Sequence, residues 1–205
     1  MKLTKLEGIK FLEELNLPTV ERIDINQIVE GQISIDNGIS VRVSPKSNNS
    51  KWNVYLPSIH GCKNREEVKK FVKDNSQYEI FAHETVKPEV IGSISKLQHT
   101  KSIVIETYKN FQQRKEEIID NRMTIPIFAD RLWISHLELL NKNKEDFMNF
   151  KKVIIYLKDI PFEQYDLEYI IQNGEVIFTD LTLPDNKEYN SYKKFLLDNK
   201  TNLER

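Results

Sequence analysis

A single cysteine, Cys62, stands in 205 residues, so no intramolecular disulfide framework can form and nothing argues for an oxidising compartment. One cysteine needs histidines at ligand spacing to build a zinc site, and His60, His83, His99 and His136 show no such spacing. Beside His60, Cys62 could act as a nucleophile, but a small buried residue is the plainer expectation. Charge of one sign is missing too. Thirty Lys and Arg meet 31 Asp and Glu, a formal net charge of −1, so no global field selects nucleic acid or an anionic membrane. The basic runs Lys69-Lys70 and Lys151-Lys152 fall in helical patterns, where a solvated face explains them. No apolar run approaches the ~20 residues of a membrane span. Met1 to Gly8 carries none of signal-peptide length. The cytoplasm is therefore the expected location, with neither nucleic acid nor membrane among the partners. Internal repeats and low-complexity tracts are absent as well.

What is present is ordinary for a soluble globular protein, with 39% apolar and 30% charged residues. The length suits one large domain or two small lobes. Leu6, Ile9, Phe11, Leu12 and Leu15 recur at helical spacing, and Asn16-Leu17-Pro18 stops that helix. Extended segments are expected over 20–23, 27–29 and 38–44. In the last, Ile39, Val41 and Val43 alternate with Ser40, Arg42 and Ser44. A polar loop and a strand over 52–56 follow. A helix over 64–74 opens on Asn64, with Glu67 three residues on as a capping box. Strands over 78–82, 90–97 and 102–107 come next, then a charged helix or arm over 110–120 and a strand over 123–128. Helices over 130–140 and 144–157 precede two strands, 165–172 and 175–181, joined at Asn173-Gly174, and a polar helix over 187–198 ends the pattern. Strands clustered between helices favour an α+β fold with mainly antiparallel sheets. A boundary near Asn75 gives an N-terminal lobe over 1–75 and a second lobe over 76–205.

Three places could carry chemistry. Lys5 at a helix entrance can meet a phosphate as a point charge. Arg42 lies between β-branched residues in mid-strand, where its fork must find acceptors. It grips a phosphate, faces water from an edge strand, or pairs with a carboxylate. Glu168 and Asp180 lie on the two paired strands. A three-residue loop, Gln172-Asn173-Gly174, puts both on one side and leaves Leu167, Tyr169, Ile171, Ile177 and Leu181 as a core face. A two-residue Asn-Gly loop puts them on opposite sides. The three-residue register is favoured here. Two carboxylates on one half-buried face repel unless a cation lies between them, and oxygen donors suit Mg²⁺; solvated strand carboxylates are the competing explanation.

The order of these pieces resembles the ATP-binding domain of the phosphoenolpyruvate synthase and pyruvate phosphate dikinase family. Lys5 with Leu17-Pro18 is similar to that family's opening, at the same lysine-to-proline spacing. Ser40-Val41-Arg42 resembles its Ser-Val-Arg strand, and Asp166-Leu167-Glu168 its closing Asp-(Ile/Leu)-Glu strand. Ile80 to Val86 looks like the hinge strand that lies against adenine. Ile91 to Ser95 and Ile103 to Glu106 resemble the next strands, with Glu106 toward the cleft. Departures accompany the match. The family's closing Gln-x-Arg is Asp180-Leu181-Thr182 here, its glycine-rich stretch is missing, and nothing in these 205 residues resembles its phosphohistidine domain or pyruvate-binding barrel. The resemblance implies an ATP-grasp-like fold, two lobes around a nucleotide cleft, with ATP and Mg²⁺ as cofactors. It implies Lys5 and Arg42 on the phosphates and in catalysis, with Glu168 and Asp180 as metal ligands. Phe81, His83, Glu84 and Val86, within 79–86, would line the adenine. The implied activity is kinase-like phosphoryl transfer or ligation to an acceptor the motifs do not name. A non-catalytic nucleotide-binding or interaction module of the same fold is the alternative.

Overall fold

The structure is a computed structural model. It describes residues 3–46, 56–96, 102–116, 118–128, 131–132, 138–139, 144–157, 160 and 164–183. The chain divides into two compact units. One comprises 1–3, 8–18 and 88–205; the other comprises 4–7 and 19–87. Among the described residues, no helix is long and apolar enough to cross a membrane.

Helix α1 (Lys5–Glu14) contributes its first turn to the smaller unit and its remainder to the larger. Its start is a reciprocal capping box. The Glu7 amide donates to Thr4 Oγ1 at 3.0 Å, while the Thr4 amide donates to Glu7 Oε2 at 2.7 Å. At its other end Asn16 takes a left-handed φ of 56°, and Leu17 N–H reaches back to the Leu12 carbonyl at 3.0 Å. That closure satisfies the helix's last carbonyls and turns the chain at the expected stop, before Pro18.

In the smaller unit, β1 (Arg22–Ile23), β2 (Ile39–Ser44), β3 (Ser58–Cys62) and β4 (Glu79–Glu84) form an antiparallel sheet in the order β1-β4-β2-β3. Helices α2 (Ile25–Glu30) and α3 (Arg65–Asp74) pack with it. Ile28, Ile35, Ile39, Val41, Cys62, Val68 and Ala82 make the core. Fully burying a side chain such as Ile28 contributes about 1.5–3 kcal/mol. Residues 27–29, expected to be extended, are helical. Asp24 caps the helix by accepting the Asn26 amide, and Gly31 closes it at φ 86°. These local caps outweigh the strand preference of Ile28 and Val29. Arg65 adds to the closure, donating from Nε to the Ile28 carbonyl at 2.9 Å and from Nη2 to that of Ile33 at 3.1 Å. Asn64 caps α3 as expected, by accepting the Glu66 amide, whereas the Glu67 carboxylate receives the Cys62 thiol.

The larger unit is built on a sheet of order β11-β10-β5-β6-β7-β8, with β9 also on β7. Its strands are β5 (Val90–Lys96), β6 (Ser102–Tyr108), β7 (Asn121–Phe128), β8 (Arg131–Leu132), β9 (Glu138–Leu139), β10 (Tyr165–Gln172) and β11 (Glu175–Thr182), all antiparallel. Helix α4 (Phe111–Lys115) lies in the β6–β7 connection, and α5 (Lys144–Leu157) precedes β10. One core gathers Phe11 and Leu12 of α1, Phe150, Val153, Ile154 and Leu157 of α5, and one face of the sheet. Two glycines permit this packing. A Cβ on Gly8 would lie 2.8 Å from the Leu181 carbonyl oxygen, and one on Gly92 only 2.2 Å from Tyr169 Cζ.

Around 130–140 the expected helix is replaced, where described, by β8 and β9. Their backbones bond to the open edge of β7, and that ladder overrides the helical periodicity. Of the strand expected over 52–56, residues 52–55 fall outside the described residues, as does the helix expected over 187–198.

Candidate functional site

Each sheet has an apolar face and a polar one. In the smaller unit, Ile23, Ala82, Val41 and Ile59 pair across the strands on the core side. The alternate positions form two rows, Arg22–His83–Ser40 and Phe81–Arg42–Ser58. Opposed residues of antiparallel strands share a face, so Arg22, His83, Ser40, Arg42 and Ser58 lie together on the side away from this core, with Phe81 among them. Because β2 lies between β4 and β3, Arg42 is on an interior strand rather than an edge.

The electrostatics of this surface converge on His83, which is 3% exposed. Its pKa falls from 6.5 to about 4, first because burial penalises the imidazolium, and further because Arg42, His60 and Lys5 are nearby cationic or cationisable groups. Its Nδ1 lies 2.7 Å from the Glu84 carbonyl oxygen. A carbonyl only accepts, so Nδ1 carries the proton and the ring is neutral at physiological pH. Lys5 and Arg42 thus belong to one cationic neighbourhood. Glu84 and Val86 follow at the end of β4, Glu84 exposed and Val86 half-buried. Thr85 ties this exit to the sheet, its amide donating to the Gly38 carbonyl and its Oγ1 accepting from Gly61 N–H.

In the larger unit, Leu181, Leu167, Ile94, Ile105 and Met123 face one another across β11, β10, β5, β6 and β7 on the core side. One position along, on the other face, the same strands align Asp180, Glu168, Ser93, Glu106 and Arg122. Arg122 donates to Glu106 Oε1 through Nε at 2.8 Å and Nη2 at 2.6 Å. Tyr108 donates its hydroxyl to Glu106 Oε2 at 2.8 Å. The Tyr108 phenol is pushed above its ordinary pKa, mainly by burial and further by Glu106. Arg114 stacks over the Tyr108 ring at 5.2 Å and reaches Glu168 Oε1 at 3.3 Å.

Among the described residues, no group of three or more His, Cys, Asp or Glu is placed to hold a metal. The opposed Glu168 and Asp180 are nonetheless a fitting donor set for Mg²⁺, which takes one or two carboxylates and draws its other oxygens from phosphates and water.

No family model and no curated protein matches this sequence at a significant level. Solved structures do match. The N5-carboxyaminoimidazole synthetase of Staphylococcus aureus superposes with a TM-score of 0.51 at 12% identity, covering 89% of this chain and 44% of that one. An ADP complex of N5-carboxyaminoimidazole ribonucleotide synthetase gives a TM-score of 0.52 at 12% identity, covering 87% and 44%. ACD1 of Ca. Korarchaeum cryptofilum, in complex with coenzyme A, gives 0.54 at 13% identity over 88% and 92%. These neighbours are ATP-grasp proteins. The fold is ATP-grasp. At such identities the likeness concerns the fold, and this chain spans less than half the length of the two synthetases.

On the ATP-grasp fold the expected residues fall into two sets. Lys5, Arg42, Phe81, His83, Glu84 and Val86 belong to the smaller unit, and Glu168 and Asp180 to the larger. The three-residue loop expected between β10 and β11 is not formed. Gln172 pairs with Glu175, so the turn is the two residues Asn173 (φ 52°) and Gly174 (φ 76°). Glu168 still opposes Asp180, because a bulge at Thr179 shifts the register between Tyr169–Phe178 and Glu168–Asp180. The core face is corrected accordingly. Val176 and Phe178 are buried beside Leu181, while Ile177 pairs with Ile170 on the carboxylate side. Ser93, Tyr108, Arg114 and Arg122 were not singled out from the sequence. The alternation of Val104, Glu106 and Tyr108 would have given Tyr108; nothing local gives Arg114, which reaches Glu168 from 54 residues away.

Proposed function

We propose that this chain binds ATP with Mg²⁺ and acts as a ligase-type or phosphotransferase-type enzyme. The observation that carries this is the Glu168–Asp180 pair, two opposed carboxylates on the polar sheet face of an ATP-grasp fold. Lys5 and Arg42 are the proposed phosphate contacts, with Arg42 and Lys5 also neutralising charge as phosphoryl transfer develops it. Phe81, Glu84 and Val86 are proposed against the base, with His83 as a neutral neighbour. The solved relatives fit this in kind, one crystallised with ADP and another with coenzyme A. The resemblance to the nucleotide domain of phosphoenolpyruvate synthase adds the narrower suggestion of kinase-like transfer, to a small-molecule or protein acceptor.

Calorimetric titration of Mg·ATP is the direct test. Saturation at 100 times Kd stabilises the fold by about 2.7 kcal/mol, a rise in Tm of about 5–10 °C for a chain of this size. No heat of binding and no shift at millimolar nucleotide would refute the proposal. One feature favours a binding module without catalysis: Thr182 stands where the family closes its motif with arginine. Nucleotide binding without hydrolysis or transfer selects that version.

A further inference from the structure

Arg114 occupies an unusual position on the polar face of the larger sheet. Asn110 caps α4 by accepting the Gln113 amide at 2.9 Å, and the short helix returns Arg114 over β5 and β6. The guanidinium rests on the Tyr108 ring, and Nη2 makes a long single contact of 3.3 Å with Glu168 Oε1. Nε is buried with no hydrogen-bond partner among the described residues. Arginine cannot shed its charge to escape that condition, and an unmade bond from a buried donor is costly.

The neighbouring pair provides the contrast. Arg122 holds Glu106 through two nitrogens at 2.8 and 2.6 Å, and Glu106 in turn fixes the Tyr108 hydroxyl. The tight pair therefore orients the ring on which Arg114 stacks. Glu168, in contrast, is 44% exposed and Arg114 32% exposed, and such a pair is worth about 0–1 kcal/mol. One cation is thus placed by a hydrogen-bonded network yet held to its carboxylate by one long contact.

We propose that Arg114 is a binding residue for the terminal phosphate of the nucleotide. This rests on the ATP-binding function proposed above. Once Glu168 serves as a metal ligand it no longer neutralises Arg114, and the fork, Nε included, meets phosphate oxygens in the bidentate geometry that guanidinium favours. The exchange keeps Glu168 neutralised in the empty protein and adds a contact that ATP has and ADP lacks.

Calorimetry with Mg·ATP and Mg·ADP on the full chain, Arg114→Gln and Arg114→Lys tests this. Arg114→Gln should weaken ATP tenfold or more and ADP less than twofold, so the preference between them collapses. Arg114→Lys, which keeps the charge and loses the fork, should recover part of it, and it reads the same ratio should Arg114→Gln fail to fold. Equal losses for both nucleotides, or an unchanged ratio, would overturn the assignment while leaving nucleotide binding standing. A wild-type chain that binds neither nucleotide overturns the assignment and the proposed function together.

Discussion

Glu168 and Asp180 stand directly opposite each other on β10 and β11, and a single extra residue, Thr179, brings them there. The two-residue turn at Asn173-Gly174, carried on regularly, would set Asp180 against Leu167 on the core side. Burying a carboxylate there without partners is prohibitive. The bulge restores the alternation, so Leu181 enters the core and Asp180 leaves it.

If this pair holds the metal, Glu168→Gln and Asp180→Asn should each reduce Mg·ATP affinity at least tenfold. Nucleotide affinity measured in EDTA should change far less, because the lost donor acts through the cation. Glu168→Gln should leave metal-free stability within about 1 kcal/mol, since it removes a partly exposed ion pair. Equal weakening with and without Mg²⁺ would contradict the ligand role.

Gly92 and Tyr169 offer a test of packing. The Tyr169 ring lies across Gly92 in the neighbouring strand, so Gly92→Ala forces the ring aside and should cost about 1–3 kcal/mol in chemical denaturation. Combined with Tyr169→Leu, the alanine should cost much less than in the wild-type background. Additive losses would show that the ring is not the obstacle.

Acid should act through His83. Its folded pKa of about 4 lies below the ordinary 6.5, so the unfolded chain takes up a proton as pH falls below 6.5 and the folded chain does not until about 4. The stability from keeping it neutral is full above that window and is lost progressively across it, approaching about 3 kcal/mol. His83→Gln should lose less stability than wild type between pH 7 and pH 4.5 in urea unfolding. Identical slopes in the two proteins would place the titration elsewhere.

Cys62 should be unreactive in the folded chain. It is 6% exposed, and its thiol is pushed up by burial first and then by Glu67, with only the Asn64 carbonyl opposing. A disulfide reagent at pH 8 should label it at the rate of unfolding, and rapid labelling of native protein would contradict this.

Local signals carried much of the architecture. The stop at Asn16-Leu17-Pro18, the Asn64 cap, and the strands β2, β4, β5, β6, β10 and β11 were legible because capping and alternation are short-range physics. Helix α2 runs against its strand-favouring β-branched residues because the Asp24 and Gly31 caps close a helix around them. The polar character of Arg42, Glu168 and Asp180 was written in the sequence, and so was the alternation that sets Arg42 off from Val41 and Val43. Tertiary structure decided the rest. Whether two carboxylates share a face depends on a bulge that no turn rule contains, and whether Arg42 is interior depends on strand order. Arg114 meets Glu168 only because β5 and β6 bring distant segments under one helix. Sequence fixes which side chains are costly to bury; the sheet's register fixes which of them meet, because backbone pairing links residues far apart along the chain.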